Sequence, residues 1–397
     1  MNDALEVDCL VIGAGPAGSI TAREVARGGW KVLMVEKRAE IGVPVRCGEG
    51  ISKELLDLVS LERGPSFVSS EMDGAKIISP NGTVLTLGPE IAGPEVGFVI
   101  EREMFDQELA KMAAREGAEI WMRAEAISYE DSGDCVVVRI KVLSETLTVR
   151  ARVVVAADGF ESLVARWAGV ETNLGPRDID ICIQYEMVGI DTDDRFTEFF
   201  VGRKYVPGGY IWCFPKGHGI ANVGLGMNAS MVKEPGEPRR YLDDFIRKNP
   251  RFSKGKITEI NGGGVSVSLP IEETVADHLV VVGDAARMID PLTGGGVYNG
   301  CYAALQAGKT ICEALEKGDT SKAALEPYER RWRDRLEMEM ARNYLAKEKL
   351  LEVSDETLEK VISAIAEYDM TEISTEELMK AIVSKYPEAL KELGSFM

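Results

Sequence analysis

Three large rings fall two residues apart in PGGYIWCFPKG (207–217): Tyr210, Trp212 and Phe214. In an extended strand that spacing puts them on one face, with Ile211 and Cys213 on the other. Aromatic residues are only 7% of the chain, so the cluster needs a reason. Either the rings are ordinary core beneath a sheet, since aromatics favour strands, or they wall a long apolar channel. A second candidate is Arg46-Cys47-Gly48-Glu49-Gly50, a thiol among glycines. Cys47 is either a small buried residue or a thiol that gates or donates a proton. The simplest partner for Arg46 is Glu49. The only histidines are His218 and His278, and the seven cysteines form no CxxC. That composition argues against a metal centre, a disulfide framework and a Ser–His–Asp triad. Proton chemistry falls to carboxylates, Tyr, Cys, Lys or water. His218, in a KGHG turn, reads as exposed loop.

The strongest local signal is Gly13-Ala14-Gly15-Pro16-Ala17-Gly18, set between a strand-like run (7–12) and a helical segment (about 16–28). This is the context in which glycines open a tight turn, admit a pyrophosphate and let helix and strand pack closely. The helix start adds free N–H groups and a positive dipole end. Glu36 closes the next strand-like run, KVLMVE, where an acid can bind a ribose hydroxyl. An acid there favours FAD or NAD. Three later segments select FAD: Asp158-Gly159, Gly283-Asp284-Ala285-Ala286, and Asp290-Pro291-Leu292-Thr293-Gly294-Gly295-Gly296-Val297. The last opens a helix and supplies a second set of N–H donors, as a long two-part cofactor requires. Asp284 is placed to accept from a ribityl hydroxyl. The amides of 294–297 suit the flavin edge where reduction develops negative charge.

Together these segments resemble the p-hydroxybenzoate-hydroxylase-type FAD superfamily. GVPVRCGEGIS (42–52) and PGGYIWCFP (207–215) narrow the resemblance to archaeal geranylgeranyl reductases, over essentially the whole chain. Beside the fingerprint glycines Gly13, Gly15 and Gly18, the resemblance implies FAD contacts at Ala17, Glu36, Cys47, Gly48, Gly50, Arg102, Asp284, Gly296 and Val297, with Ala126 a looser transfer. The residues themselves point to a substrate wall at Tyr210, Trp212 and Phe214, to catalytic roles for Cys47, Tyr210 and Trp212, and to no metal. The implied reaction saturates C=C bonds in the geranylgeranyl chains of ether-lipid precursors. The glycines around Cys47 would let the backbone pass close to the isoalloxazine. An isolated alkene has no carbonyl to accept hydride; protonation followed by hydride transfer is one route, and aromatic faces would steady the developing cation. The same fold also hosts aromatic monooxygenases and prenyl-binding chaperones. A monooxygenase needs a compact polar pocket; the chaperone reading conflicts with the retained Glu36, Asp284 and glycine-rich helix start.

The elements that must position these residues read as an α/β fold: a Rossmann-like FAD-binding domain, an inserted antiparallel-sheet substrate domain and a helical C-terminal region. The FAD-binding domain is discontinuous, over 1–75, 101–171 and 272–320; the substrate domain takes 76–100 and 172–271; the helical region takes 321–397. Residues 103–116 have helical spacing, and 297–318 read as a helix. In the tail, Tyr328, Trp332, Leu336, Met340 and Tyr344 recur every four residues, an amphipathic stripe. The basic run RRWRDR (330–335) is either a solvated face or a site that meets a phosphate head group.

With 397 residues the chain can bury a large core, and its formal net charge of −19 argues against nucleic acid as a partner. No apolar run reaches the ~20 residues that span a bilayer. The N-terminus carries acids where a secretory signal carries bases. The expected location is cytoplasmic, peripheral to the membrane that holds the prenylated glycerophospholipid, with the tail as the contact. The chain has one nucleotide fingerprint, which does not select the external electron donor among ferredoxin, a deazaflavin and NAD(P)H.

Overall fold

The computed structural model describes residues 4–64, 66–88, 97–368 and 375–386. The remaining parts of the segments assigned above, 89–96 among them, lie outside the described residues. The first sheet is built on apolar runs. β1 (Leu5–Ile12) lies between β2 (Val32–Glu36) and β11 (Glu145–Ala156), parallel to both. β8 (Glu119–Met122) extends the sheet beyond β2, and β18 (Leu279–Val281) extends it beyond β11, again in parallel. Cys9, Leu10, Val11, Leu33, Met34 and Val153–Ala156 are all essentially inaccessible. Strands covered on both faces have no solvent side, so their sequences run apolar without alternation. β9 (Ala124–Asp131), β10 (Val136–Val142) and β17 (Val275–Ala276) complete this sheet in antiparallel fashion. Helices α1 (Pro16–Arg27), α3 (Arg102–Arg115) and α6 (Val297–Lys317) pack beside it, with α1 between the other two.

The second sheet has seven strands in the order β16, β12, β15, β14, β13, β5, β6. These are β5 (Gly74–Ile78), β6 (Val84–Leu87), β12 (Ile179–Val188), β13 (Phe196–Val201), β14 (Gly209–Gly217), β15 (Ile220–Asn228) and β16 (Lys256–Ser266). The neighbours are antiparallel, as the sequence suggested, except β13 and β5, which run parallel. One face packs on α5 (Glu237–Lys248) through Tyr185, Ile211, Cys213, Leu225 and Phe245. A third sheet has the order β3 (Gly50–Ser52), β7 (Gly97–Ile100), β4 (Val68–Glu71), and β5 and β6 of the second sheet fall between β4 and β7 in sequence. Gly97–Ile100, grouped above with the second sheet's unit, pairs with 50–52 and 68–71 instead.

α2 (Lys53–Val59) follows β3, and the short α4 (Leu163–Trp167) follows the Asp158 turn. The long α7 (Lys322–Leu350) is docked by Leu325, Tyr328, Trp332, Leu336 and Met340. Tyr328 donates to Val281 O (2.8 Å) and Trp332 to Thr274 Oγ1 (3.1 Å). Tyr344 is only half-buried, so the stripe loosens at its last member. α8 (Asp355–Ala366), capped by Ser354, packs on β6, and α9 (Thr375–Lys385) follows. No helix among the described residues is long and apolar enough to cross a membrane.

Candidate active site

A cavity of about 880 Å³ runs between the first sheet, the second sheet and α7. Every residue singled out from sequence for cofactor or substrate lines it: Gly13, Gly15, Ala17, Gly18, Glu36, Cys47, Gly48, Gly50, Arg102, Ala126, Asp284, Gly296, Val297, Tyr210, Trp212 and Phe214. At one end, Gly13 holds φ +106°, and a Cβ there would lie 2.2 Å from Ala157 O. The turn therefore packs directly on the end of β11. Glu36 is fixed by N–H groups of Ala14 (3.1 Å) and Arg38 (2.9 Å). α1 and α6 both begin at this cavity with glycine N-caps, no side-chain cap and no acid in the first turn. Two helix starts with uncompensated positive ends in one hollow suit a ligand carrying phosphate and a reducible ring.

Asp158 and Asp284 are among the carboxylates that face the same space. Asp158 caps α4 through one oxygen, which accepts from Leu163 N (2.6 Å) and Val164 N (3.1 Å). Its other oxygen is buried without a partner. Burial raises its carboxyl above the usual range despite those two N–H bonds. Asp284 lines the cavity beside Gly296; loss of hydration raises it as well, against the pull of Arg102 and Arg287. An unpaired acceptor and a second acid beside uncapped helix starts fit the hydroxyl-rich linker and phosphates of FAD.

The rings form the other wall. Ile211 and Cys213 point into the core on the α5 side, while Tyr210, Trp212 and Phe214 point into the cavity. Phe199 on β13 packs edge-on against Tyr210 (5.6 Å) and Phe214 (5.5 Å), a fourth ring that the sequence reading missed. The Tyr210 hydroxyl donates to Thr293 O, tying this strand to the second glycine-rich loop. Trp212 lies across Gly224, where a Cβ would come 2.4 Å from its ring. Its N–H donates to Gln184 Oε1 (2.8 Å), and Gln184 Nε2 donates to Cys47 O (3.0 Å). A buried glutamine thus joins the aromatic wall to the Cys47 loop. Its signal was a lone amide in the apolar run DICIQYEMV.

The glycines of that loop also make room for a ring of the protein itself. A Cβ on Gly48 would lie 2.8 Å from Phe214 Cε2, and one on Gly50 3.2 Å from the same atom. The loop passes under a ring of its own protein. Cys47 Sγ accepts from Glu49 N (3.2 Å) and lies in hydrogen-bonding reach of the Arg102 guanidinium. Arg102 is fixed by two 2.9 Å bonds to Asp106; burial opposes its charge, but Asp106 and the sulfur hold it protonated well above the ordinary range. The expected Arg46–Glu49 pair does not form. Glu49 has φ +74°, which turns it to Lys216, while Arg46 reaches Glu161 (3.4 Å).

The histidines stay away from the cavity. His218 is exposed in its turn, and His278 is buried against Thr320 Oγ1 (2.7 Å) and Gly133 O (3.0 Å). In the basic run, Arg331 is engaged by Glu313 and Arg333 by Glu329, and Arg335 lines the cavity with Glu339 at 3.9 Å.

A geranylgeranyl reductase catalytic-domain model matches residues 178–265, and an FAD-binding-domain model matches 6–213. A digeranylgeranylglycerophospholipid reductase of Thermoplasma volcanium is 44% identical over 97% of this chain and 98% of its own. The chain belongs to the digeranylgeranylglycerophospholipid reductase family. Another such reductase, of Picrophilus torridus, is 45% identical over 98% of this chain and 99% of its own. A solved geranylgeranyl bacteriochlorophyll reductase-like protein of Thermoplasma acidophilum superposes with a TM-score of 0.93 at 42% identity, covering 99% of this chain and 100% of that one. A flavoprotein/dehydrogenase of Cytophaga hutchinsonii, at 19% identity and TM-score 0.69 over 98% of both chains, shares the fold alone. Within the family the ring-bearing strands β12 to β16 fall in the catalytic-domain match, and the glycine turn and Glu36 in the FAD-binding match.

Proposed function

We propose that this chain saturates C=C bonds in the geranylgeranyl chains of digeranylgeranylglycerophospholipids with FAD as its cofactor. The observation that carries the reading is one continuous cavity joining two uncapped helix starts to a wall of rings. FAD, when bound and reduced, supplies the hydride. Gly13, Gly15, Ala17, Gly18, Glu36 and Ala126 are assigned to its adenosine and phosphates. Cys47, Gly48, Gly50, Arg102, Asp284, Gly296 and Val297 are assigned to its ring and linker. Tyr210, Trp212 and Phe214 orient the apolar chain and exclude water. Where alkene protonation builds positive charge, each ring face contributes ~1–2 kcal/mol. Cys47, between Glu49 N and Arg102, is the thiol that holds or moves a proton at the wall.

Electrons come from an external donor: ferredoxin, a deazaflavin or NAD(P)H. Membrane contact is peripheral and belongs to the outer side of α7, where Met338 is 86% and Leu345 66% exposed one heptad apart. The decisive experiment supplies dithionite-reduced protein with digeranylgeranylglycerophospholipid and follows the lipid by mass spectrometry. Gain of two hydrogens per bond is expected. An unchanged lipid, oxygen uptake without saturation, or a protein that stays colourless when offered FAD would overturn the reading. Stopped-flow reduction with each donor class identifies the physiological one, and vesicle flotation of Met338→Glu/Leu345→Glu tests the contact.

A further inference from the structure

The Cys47 loop and the ring-bearing strand meet in a charged cluster that the reading above leaves unused. Lys216, the second residue after Phe214, has a side chain only 6% exposed. Three carboxylates surround its ammonium: Glu49 (2.7 Å), Glu101 (2.8 Å) and Glu186 (3.0 Å). Glu49, 3% exposed and part of the cavity wall, also accepts from Arg102 N (2.7 Å) and Asn222 Nδ2 (2.6 Å). Glu101 has a side chain 43% exposed and accepts from Ser69 Oγ (2.6 Å); Glu186 accepts from Thr258 Oγ1 (2.8 Å). The groups thus run from solvent to the cavity.

One cation among three carboxylates is an unusual arrangement to bury. Fully ionised, the cluster carries net negative charge around a buried ammonium, and taking up one proton on Glu49, its most deeply buried acid, relieves it. Burial raises the Glu49 carboxyl above its ordinary range, opposed by Lys216; the carboxylates in turn hold Lys216 charged against its own burial. The other groups facing Glu49 are Asn222 from β15 and the Arg102–Asp106 pair on α3.

Resting on the proposed reductase activity, we propose that the Glu49–Lys216–Glu101/Glu186 cluster stores and delivers the proton that each double-bond reduction consumes. Each saturated bond takes one hydride on one carbon and one proton on the other. Both electrons arrive with the hydride from the reduced flavin; the cluster carries none. The proton leaves the Cys47 S–H bond at the wall, and the thiolate left behind is reprotonated by Glu49 as its O–H bond breaks. Glu49 then draws a proton from Lys216 while Lys216 regains one from solvent through Glu101 or Glu186. The arrangement supplies a titratable path to an apolar hollow without a histidine.

The test uses the FAD-loaded protein. Infrared spectra should show a protonated-carboxyl C=O stretch that persists above the ordinary glutamic acid range and is missing from Glu49→Gln. When pre-reduced protein meets the lipid in stopped flow, Glu49→Gln should slow flavin reoxidation by roughly 30-fold or more, while dithionite reduction and the visible spectrum are kept. Glu101→Gln removes a negative neighbour, so the pH at which reoxidation falls should move downward. The idea is overturned if the infrared band survives in Glu49→Gln, if Glu49→Gln reoxidises at the parent rate and pH profile, or if Glu101→Gln leaves the pH midpoint in place. A parent protein that the lipid fails to reoxidise would refute the reductase reading, and the infrared comparison would still decide whether Glu49 holds the proton.

Discussion

Replacing Gly48 with alanine probes the joint between cofactor loop and aromatic wall. The added Cβ would lie 2.8 Å from Phe214 Cε2 and 3.2 Å from Cδ2, with Trp212 Nε1 next at 3.7 Å. Only side-chain atoms are in the way, and Gly48 does not have positive φ, so the conflict is with a ring and not with the backbone. Phe214 cannot retreat freely, because Phe199 (5.5 Å) and Trp212 (6.4 Å) pack against it. Overpacking of this kind costs about 1–3 kcal/mol. If the loop yields in place of the ring, that cost appears as lost FAD affinity, about 5- to 150-fold. Fluorescence titration of the apoprotein with FAD measures it. Phe214→Leu removes the obstructing atoms, so the double variant should recover most of the Gly48→Ala loss, with a coupling of about 1–2 kcal/mol in a double-mutant cycle. Strict additivity, or a Gly48→Ala protein that binds FAD like the parent, would refute the claim that this glycine exists to admit the ring.

Trp212→Phe leaves Gln184 Oε1 buried without its donor, a cost of about 1–3 kcal/mol, and should lower turnover more than FAD affinity; unchanged steady-state rates for it and for Tyr210→Phe would remove both residues from the chemistry. Asp180 lines the cavity, and burial pushes its carboxyl from 3.8 up to about 6 against the help of Asn228 and Lys347. The folded state then binds the proton more tightly, so stability falls as pH rises from about 4 to about 6, by up to ~3 kcal/mol. Asp180→Asn keeps the acceptor for Asn228 and should flatten that slope in thermal melts taken across the same window. Trp332→Ala opens a hole under α7 and removes the donor to Thr274, which at about 3–5 kcal/mol should greatly reduce soluble yield.

The parts of this molecule that were legible in the sequence are those whose physics is local. β1 read as a buried parallel strand because both its faces are covered, and the turn at Gly13 read as a tight strand-to-helix turn because strand, glycines and helix are contiguous. Alternation in 210–214 was enough to separate ring face from core face. Pairings between distant segments were not legible. Nothing near residue 74 announces a parallel partner at 196, and nothing in KGHG announces that Lys216 is buried, because its three acids come from positions 49, 101 and 186. The Arg46–Glu49 expectation failed on one backbone angle, the positive φ of Glu49, which no count of opposite charges reveals. Gln184 and Asn222 left a trace, as isolated amides in apolar strands, that becomes interpretable only once their partners on the Cys47 loop are in place.

The side-by-side seating of Phe196–Phe200 with Gly74–Ile78 has a practical corollary for anyone hoping to retune chain-length preference by domain exchange. The ring-bearing sheet is not a single transplantable cassette: its far edge is spun from an early stretch of the polypeptide, and a chimera carrying only 179–266 from a donor would mate two foreign edges across that seam. Exchanges that move 74–87 together with 179–266 keep the seam native and should be the ones that yield coloured, soluble hybrids.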